Sequence, residues 1–559
     1  MGAAEKTRTR GTEVRTPLRY SLTVAGLSFA VYVLHSLFFM DWIVDDAGIT
    51  FVYARNLAAG HGLVSQPGAP PVEGYSNFTW LIIFVPFFLV NAFHVYIVPK
   101  VVSAFFVLFT FVAADRSLRR FEESSDFLIL SILCLVSLNS SFVVWTSSGL
   151  ENPLYVFLAV CLFIVCLDAI RPGELPEGRA VIAGILCALL GLTRPDGVLY
   201  LAVLPTLMFL FYNRDGVLPG RNFWKGMAVF VLVFIALYGS YIVFRVLYFK
   251  DLFPNPYYAK GGPQLMDAVN IHLLRGGKGE EVGSLAWALG GYAGPLVMLL
   301  PVIFSVMLLL KKRFDRIMVA AFLFLYISAM DHLLLPPDYM GLHRYATPFF
   351  LFFYLFLGVS FVRTAESYIG NSGTRKAVTA ASAILLVLFS AFIFMERSYK
   401  YSLGPSTPFS RIRQAYGVTI NRYADMLEIE DGSLLAPDMG GTLYESDLRV
   451  YDLGMLCDRT IARTLNKEQD RFYDYVFEEI KPTFIMTHKA WTHRARFQND
   501  LRFKRDYVPV FQFIDPDVIK VKGVKMYSGL YVKREAVEGK EKTLQKIREE
   551  IRRAREGGD

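Results

Sequence analysis

Two adjacent aspartates, Asp45 and Asp46, follow the first long apolar run and open the stretch "DDAGITFVYARNLAAGHGLV". A carboxylate in a cleft can act as a general base. An Asp at a helix start can instead satisfy free amides at the positive end of the helix dipole. Successive helical residues point about 100° apart, so the two carboxylates cannot share one role. The local pattern therefore leaves both capping and catalysis open.

Two arginines lie beside Pro or an aromatic residue, Arg194 in "LTRPDG" and Arg344 in "GLHRY". A guanidinium group there can bind phosphate through two hydrogen bonds, or it can reach the lipid headgroups. Two such arginines on one face, together with His343 and Lys260, favour an anionic ligand. Glu151, in "WTSSGLENP", is suited either to helix capping or to binding sugar hydroxyls.

Motifs of other enzyme classes are missing from the sequence. There is no HExxH, GxxxxGK[ST], GxSxG or strand-led GxGxxG pattern, so zinc hydrolysis, a phosphate-cradling loop, a serine elbow and a dinucleotide site lack support. His332, Asp338 and His343 share one loop, but their spacing matches no recognised metal site. We therefore predict no metal ligands and no cofactor, and leave a divalent metal requirement open.

The composition shows which elements must position these side chains. The 559 residues are 54% apolar and 19% charged, against about 25% charged in soluble domains. Apolar runs long enough to cross a bilayer recur up to residue 395 and predict a polytopic α-helical membrane protein. The net charge of +8 falls in short clusters between the runs, which favours membrane orientation over nucleic-acid binding. We place about eleven spans, at 21–40, 96–114, 127–144, 154–170, 180–193, 197–212, 226–248, 285–310, 317–335, 345–362 and 377–395.

Charge in the connections predicts the topology. Short Arg- and Lys-rich connections face the cytoplasm, which puts the large first loop, 41–95, on the outer side. The apolar stretch 77–93 is assigned to the outer interface, because a further span would invert every later loop. Ionisable residues near a bilayer are expensive and mark functional faces. The outer side gathers Asp45, Asp46, Arg55, His61, Glu73, Glu151, Arg194, Asp196, Arg245, Lys260, Asp331, His332, Asp338, His343 and Arg344.

The chain divides into four predicted parts. A basic cytoplasmic N-terminus, 1–20, precedes the membrane domain, 21–396. Helical patterns then alternate with strand-like runs such as "LLAPD" and "TFIMTH", which predicts an extracytoplasmic α/β domain at 397–535. Residues 536–559 form a charged helical tail without a chemical role.

The set of motifs resembles a known superfamily. The first span ending in "DDAGITFVYARNLAAGHGLV", then "VEGYSNFTW", "SGLENPLY", "LTRPDG", "FPNPYYAK", "GLHRYATP" and "APDMGGTLYES", are similar in order to the GT-C membrane glycosyltransferases. Among these, the chain most resembles relatives of the mycobacterial terminal β-(1→2)-arabinofuranosyltransferase. The resemblance implies inverting transfer of a sugar from a polyprenyl-phosphate donor to a glycan hydroxyl, at the outer face of a bacterial cytoplasmic membrane.

The resemblance also implies roles for single residues. Asp45 or Asp46 matches the acidic residue that serves as the base, and the outer α/β domain would bind the acceptor glycan. Gly48 stands where arabinosyltransferase relatives have a bulky aromatic residue, so arabinofuranose is only the first candidate donor sugar. The positions implied for the donor phosphate are Arg344, Arg194, His343 and Lys260, and those for the sugar are Glu73, Asn77, Glu151 and Tyr258.

A transporter or flippase for lipid-linked glycan is the alternative. Such a protein would use the outer charges to bind cargo without cleaving it. Transporters often show inverted repeats and broken helices near the middle of the membrane. The sequence shows no internal repeat and no mid-span charge, which favours the enzyme.

Overall fold

The computed structural model describes residues 18–121, 125–170, 175–214, 220–260, 265–336, 338–514 and 525–556. Nearly all of the predicted basic N-terminus, 1–20, lies outside them. Within these ranges, eight helices are long and apolar enough to cross a membrane, which supports a multi-pass membrane protein. They are Tyr20–Phe39, Val98–Leu118, Asn152–Ala169, Arg221–Phe249, Lys278–Leu310, Arg316–Leu333, Arg344–Tyr368 and Ser372–Ser402.

Further apolar helices explain the larger number of spans predicted from the sequence. Asp126–Leu138 and Ser140–Ser147 meet at 66° and raise the count to nine if they form one broken span. The other two predicted spans correspond to Glu177–Thr193, of 17 residues, and to a 3-10 segment, Pro195–Ala202, that continues into Val203–Arg214. A helix of 17 residues is about 25 Å long, at the lower limit for a span. The count of about eleven therefore stays a prediction.

The first large connection, after the Tyr20–Phe39 helix, contains two helices that are too short to span. Asp45–Ala58 is the acidic helix, and Gly60, with φ +82°, follows its end. Phe78–Leu89 has 12 residues, so its length of about 18 Å falls short of a hydrocarbon core of about 30 Å. Two further short helices, Asn255–Lys260 and Leu265–His272, follow the Arg221–Phe249 span.

The C-terminal part holds a five-stranded sheet in the order β2-β1-β3-β5-β4. β1 (Ser433–Ala436) is parallel to β2 (Arg449–Asp452) and β3 (Phe484–Thr487), whereas β5 (Ser528–Lys533) runs antiparallel to β3 and β4 (Tyr507–Phe513). The helical segments around the sheet are Phe409–Ile412, Arg413–Val418, Thr419–Met426, Gly440–Glu445, Arg459–Thr464, Gln469–Asp474, Tyr475–Ile480, Lys489–Ala495 and Leu501–Asp506.

Neighbouring side chains of β1 are buried in two different hydrophobic cores. Leu434 is buried in the large core that continues into the membrane helices, and its neighbour Leu435 is buried in a separate core on the other face of the sheet. Successive strand residues point to opposite faces, so one strand can serve both cores. The large core therefore runs continuously from the sheet into the membrane-spanning part.

The charged tail forms a docked helix, Glu541–Glu556. Leu544 and Ile547 are buried, and Arg548 donates to the carbonyl of Pro509 in β4. The guanidinium group of Arg555 lies over the ring of Phe511. This helix covers part of the β4 edge strand, which would otherwise expose backbone groups to other chains.

Candidate active site

Asp45 binds the start of another helix and does not cap its own. Its Oδ2 accepts from the Gly440 amide at 2.9 Å and its Oδ1 from the Gly441 amide at 2.7 Å. These amides begin Gly440–Glu445, the glycine helix, whose last carbonyls, of Leu443 and Tyr444, accept from Arg55. A carboxylate at the N-terminus and a guanidinium at the C-terminus both favour the dipole of the glycine helix. The acidic helix thus clamps the C-terminal part to the membrane part.

The clamp leaves Asp45 unsuited to proton transfer. Both of its oxygens are occupied and the residue is 2% exposed. Burial raises the pKa of Asp45 well above its usual value, the Gly441 hydrogen bond opposes this rise, and the charges of Asp438 and Asp46 add to it. Of the two adjacent aspartates, Asp45 therefore has the structural role.

Gly48 belongs to the same contact. A Cβ on Gly48 would lie 2.7 Å from the Gly440 carbonyl carbon and 2.7 Å from the ring of Phe409. A Cβ on Gly440 would lie 1.7 Å from the Asp45 carbonyl oxygen, so neither position has room for a side chain. The missing side chain of Gly48 allows two helices to pack closely, and its link to the donor sugar stays a prediction.

Asp46 faces the arginine predicted to bind phosphate. Its side chain is 26% exposed, and its Oδ2 lies 3.4 Å from Nη1 of Arg344. The Arg344 side chain is nearly buried; its Nε lies 2.6 Å from Asp338 Oδ2, and its Nη2 donates to the Tyr345 hydroxyl at 2.5 Å. An open carboxylate with one long contact can take up a proton, so Asp46 is the stronger candidate base.

The backbone before Arg344 has an unusual conformation. Gly341, Leu342 and His343 have φ of 71°, 47° and 48°, all in the left-handed region. Such a conformation costs non-glycine residues on the order of 1 kcal/mol or more each and occurs preferentially at functional sites. This turn begins the Arg344–Tyr368 helix and aims the Arg344 side chain at Asp46.

Arg194 and Glu151 lie next to Arg344. The Arg194 guanidinium lies 4.6 Å from the centre of the Tyr345 ring, and the Arg344 guanidinium lies 4.7 Å from the same centre. Arg194 donates to Asp196, while its Nη1 has no hydrogen-bond partner in the described part of the chain and lies 3.9 Å from Glu151 Oε1. A buried guanidinium nitrogen without an acceptor is suited to an anionic ligand.

The predicted sugar-binding residues Asn77 and Glu151 are in direct contact. The Asn77 amide donates to Glu151 Oε2 at 2.9 Å, and the Thr50 hydroxyl donates to the Asn77 amide oxygen at 3.1 Å. These bonds connect the acidic helix to the start of the Asn152–Ala169 span. Asp46, Arg344, Arg194, Glu151 and Asn77 therefore belong to one connected cluster at one end of the bundle.

His343 points away from this cluster. Its Nδ1 is 3.1 Å from His332 Nε2, and its Nε2 is 3.1 Å from the Ser284 hydroxyl. Burial lowers the pKa of His343, and the contact with Ser284 opposes the shift. These contacts do not direct His343 at the cluster, and its role in binding the donor phosphate stays a prediction.

Glu73 is held by an internal ion pair. Its carboxylate accepts from Arg245 at 2.5 Å and from the Tyr241 hydroxyl at 2.7 Å, and the group is almost fully buried. Burial raises the pKa of Glu73 and the charge of Arg245 opposes the rise. Both oxygens join the first loop to the Arg221–Phe249 span, and sugar binding by Glu73 stays a prediction that these contacts do not support.

Tyr258 and Lys260 lie on another flank of the molecule. The Tyr258 ring packs beneath the Arg463 guanidinium at 4.4 Å, and its carbonyl accepts from Lys467. Lys260 is exposed, and no contact within the described ranges connects it to Arg344. The described contacts do not bring these two residues to the Asp46 cluster, and their roles in sugar and phosphate binding stay predictions.

Several residues of the site had no predicted role. Asp338 and Tyr345 contact Arg344; Tyr345 is the last residue of "GLHRY", and Asp338 lies shortly before that motif in the sequence. Asp438 Oδ2 and His488 Nε2 form a hydrogen bond of 2.7 Å next to the clamp. Each of these two follows a strand-like run, and that position at a strand end was the signal that could have identified them.

No group of three or more His, Cys, Asp or Glu residues in the described ranges is arranged to hold a metal ion. The five cysteines are free. The described cluster places the partly exposed Asp46 carboxylate beside the buried Arg344 guanidinium, with the Arg194 guanidinium on the same Tyr345 ring.

Comparisons with known proteins show which solved structures have a similar fold. A family model for a domain of unknown function, DUF8728, matches residues 411–531, and no curated protein sequence matches the chain. ArnT from Cupriavidus metallidurans in the apo state has a TM-score of 0.54 at 12% identity, covering 91% of this chain and 97% of that chain.

Structures with bound lipid phosphates are also similar. ArnT from the same organism, bound to undecaprenyl phosphate, has a TM-score of 0.52 at 12% identity over 92% of this chain and 98% of that chain. The oligosaccharyltransferase AglB from Archaeoglobus fulgidus, in complex with an inhibitory peptide and a dolichol-phosphate, has 0.51 at 12% identity over 91% of this chain and 76% of that chain. The chain therefore has the fold of the GT-C glycosyltransferases.

Proposed function

We propose that this protein is an inverting membrane glycosyltransferase that moves a sugar from a polyprenyl-phosphate donor to a hydroxyl of a cell-envelope glycan. Arabinofuranose is the first candidate sugar. The site and the C-terminal α/β domain would face the outer side of a bacterial cytoplasmic membrane. The similar fold of ArnT, whose structure holds undecaprenyl phosphate, supports a lipid-linked donor.

One observation carries the proposal. The partly exposed Asp46 carboxylate lies 3.4 Å from the buried Arg344 guanidinium, at the end of a bundle of membrane helices. A base and an anion-binding group on the same small surface are what transfer from a phosphate leaving group requires. The second guanidinium, of Arg194, shares the Tyr345 ring with the first.

The transfer would proceed in one displacement. Asp46 takes the proton of the acceptor hydroxyl as the acceptor oxygen bonds to the anomeric carbon of the donor. The bond from that carbon to the phosphate oxygen breaks, and its electron pair leaves with the polyprenyl phosphate. Arg344, released from Asp46, and Arg194 stabilise the charge that develops on the phosphate. Glu151 and Asn77 hold sugar hydroxyls beside them.

Glu151 and Asn77 suit this position for a chemical reason. A carboxylate accepts hydrogen bonds from hydroxyls, and an amide can both donate and accept. Their mutual bond and the bond from Thr50 fix their orientation before a sugar arrives. Pre-oriented polar groups lower the cost of ordering the site on binding.

The test uses purified protein in proteoliposomes with a panel of polyprenyl-phosphoryl sugars and a glycan acceptor. The proposal predicts release of polyprenyl phosphate together with a new glycosidic bond of inverted configuration. Arg344→Lys keeps the charge but removes the two-nitrogen grip on phosphate, so it should lower transfer by at least about 10-fold. Passage of intact lipid-linked glycan across the vesicle without bond cleavage would favour the transporter instead.

A further inference from the structure

A second polar pair lies beside the proposed base, in the C-terminal part. Asp438 Oδ2 and His488 Nε2 are 2.7 Å apart, and their side chains are 15% and 25% exposed. The pair is therefore open to solvent and not part of either hydrophobic core. Asp45 and Asp46 approach it from the membrane part, because Asp45 binds the amides of Gly440 and Gly441, just after Asp438.

The sheet topology explains why these two residues meet. Asp438 follows β1 and His488 follows β3, and the two strands are parallel neighbours. In the order β2-β1-β3, the chain passes from β1 to β2 on one side of β1 and later returns to β3 on the other side. Open α/β sheets bind ligands in the crevice that such a reversal leaves at the carboxyl ends of the strands.

Resting on the proposed function, we infer that the Asp438–His488 pair, at the carboxyl ends of β1 and β3, binds the acceptor sugar and presents its hydroxyl to Asp46. The Asp438 contact holds the imidazole by one nitrogen. The other imidazole nitrogen and the other carboxylate oxygen can then form hydrogen bonds with the hydroxyls of the acceptor sugar. The side chain of Tyr416, 6.2 Å from the His488 ring centre, limits the movement of that ring.

This arrangement divides the substrates between the two parts of the molecule. The membrane part binds the donor phosphate through Arg344 and Arg194, and the C-terminal part binds the acceptor glycan. The clamp of Asp45 on the glycine helix sets the distance between the two substrates. Loss of the acceptor contacts should therefore affect the acceptor and leave donor binding intact.

Binding and transfer are measured on the full-length protein with Asp438→Asn and His488→Gln. Direct binding of synthetic furanosyl and pyranosyl tetrasaccharides is followed by microscale thermophoresis, which requires no transfer. We expect each variant to weaken tetrasaccharide binding at least about 10-fold, consistent with the loss of one hydrogen bond to a charged group. In the transfer assay the KM for acceptor should rise by a similar factor, with the KM for donor unchanged.

Matched controls are His493→Gln and Asp470→Asn, exposed residues of the same domain. They should bind tetrasaccharide as the wild type does. Wild-type protein that binds no tetrasaccharide of the panel, or variants that bind as tightly as the wild type, would overturn the acceptor site. Tetrasaccharide binding that depends on the pair, in a wild type that transfers no sugar, would overturn the proposed transfer and retain the binding site.

Discussion

At the residue scale, two neighbouring aspartates have different roles because their partners differ. Asp45 uses both oxygens on backbone amides, whereas Asp46 has one long contact with Arg344. The amide partners of Asp45 lie 395 and 396 residues further along the chain, so no local pattern could separate the two roles. The candidates Arg344, Arg194 and Glu151 could be found from the sequence, because charge at a span end is expensive and therefore informative.

Glu73 shows the limit of this reasoning. It satisfied the same criteria as Glu151, but its partner Arg245 is 172 residues away and removes it from the site. Only the three-dimensional pairing distinguishes a buried ion pair from a binding residue.

Glu73→Ala leaves Arg245 as an unpaired charge at a nearly buried position, and breaking such a pair costs about 3 to 5 kcal/mol. We expect a clear fall in the apparent Tm by intrinsic fluorescence, with the KM for donor unchanged. The double variant Glu73→Ala, Arg245→Met should recover part of the loss, because it leaves no charge unpaired. An unchanged Tm with a raised donor KM would instead support sugar binding by Glu73.

At the element scale, the contact between the acidic helix and the glycine helix positions the site. The sequence predicted the acidic helix and the strand that precedes the glycine helix. It could not predict that Gly48 and Gly440 face each other, because either glycine could equally have served a turn. The absence of a Cβ at both positions allows the acidic helix and the glycine helix to pack closely.

Gly440→Ala tests this contact, because the added methyl would meet the Asp45 carbonyl oxygen at 1.7 Å. Backbone atoms must then move, and core overpacking of this kind costs about 1 to 3 kcal/mol. We expect a lower apparent Tm and at least about 10-fold less transfer. Gly404→Ala is the matched control, since a Cβ there meets nothing within 4 Å. Equal behaviour of the two variants would contradict the clamp.

At the scale of the whole molecule, the sequence predicted a multi-pass helical protein, and the helices and the GT-C structural neighbours support that class. The number of spans could not be predicted, because Glu177–Thr193 and the segment after it are near the minimum length for crossing. The packing of the sheet on the membrane helices through one continuous core was also beyond pattern reasoning, since it depends on long-range contacts.

We expect the free energy of unfolding to depend on pH through Asp452, at the end of β2. Burial raises the pKa of Asp452 to about 7, and hydrogen bonds from the Cys457 and Leu456 amides oppose the rise. The folded state favours the neutral form, so this contribution to stability is full below about pH 4 and lost as the pH rises through about 7. This rise in pKa corresponds to a change on the order of 4 kcal/mol in the free energy of unfolding.

Asp452→Asn removes this titration while keeping an oxygen for the two amides. The wild type should lose apparent Tm between about pH 5 and about pH 8, and the variant should lose less. Thermal unfolding by intrinsic fluorescence at both pH values measures the difference. A variant whose Tm falls as much as that of the wild type would contradict the assignment.

The most direct test of the central claim compares Asp46→Asn with Asp45→Asn in single-turnover transfer from a polyprenyl-phosphoryl sugar. The account predicts that Asp46→Asn lowers the rate by at least about 100-fold, with Tm and polyprenyl-phosphate binding unchanged, because the proton acceptor is lost. Asp45→Asn should lower the Tm, because it weakens the clamp. An Asp46→Asn protein that transfers sugar at the wild-type rate would contradict the account.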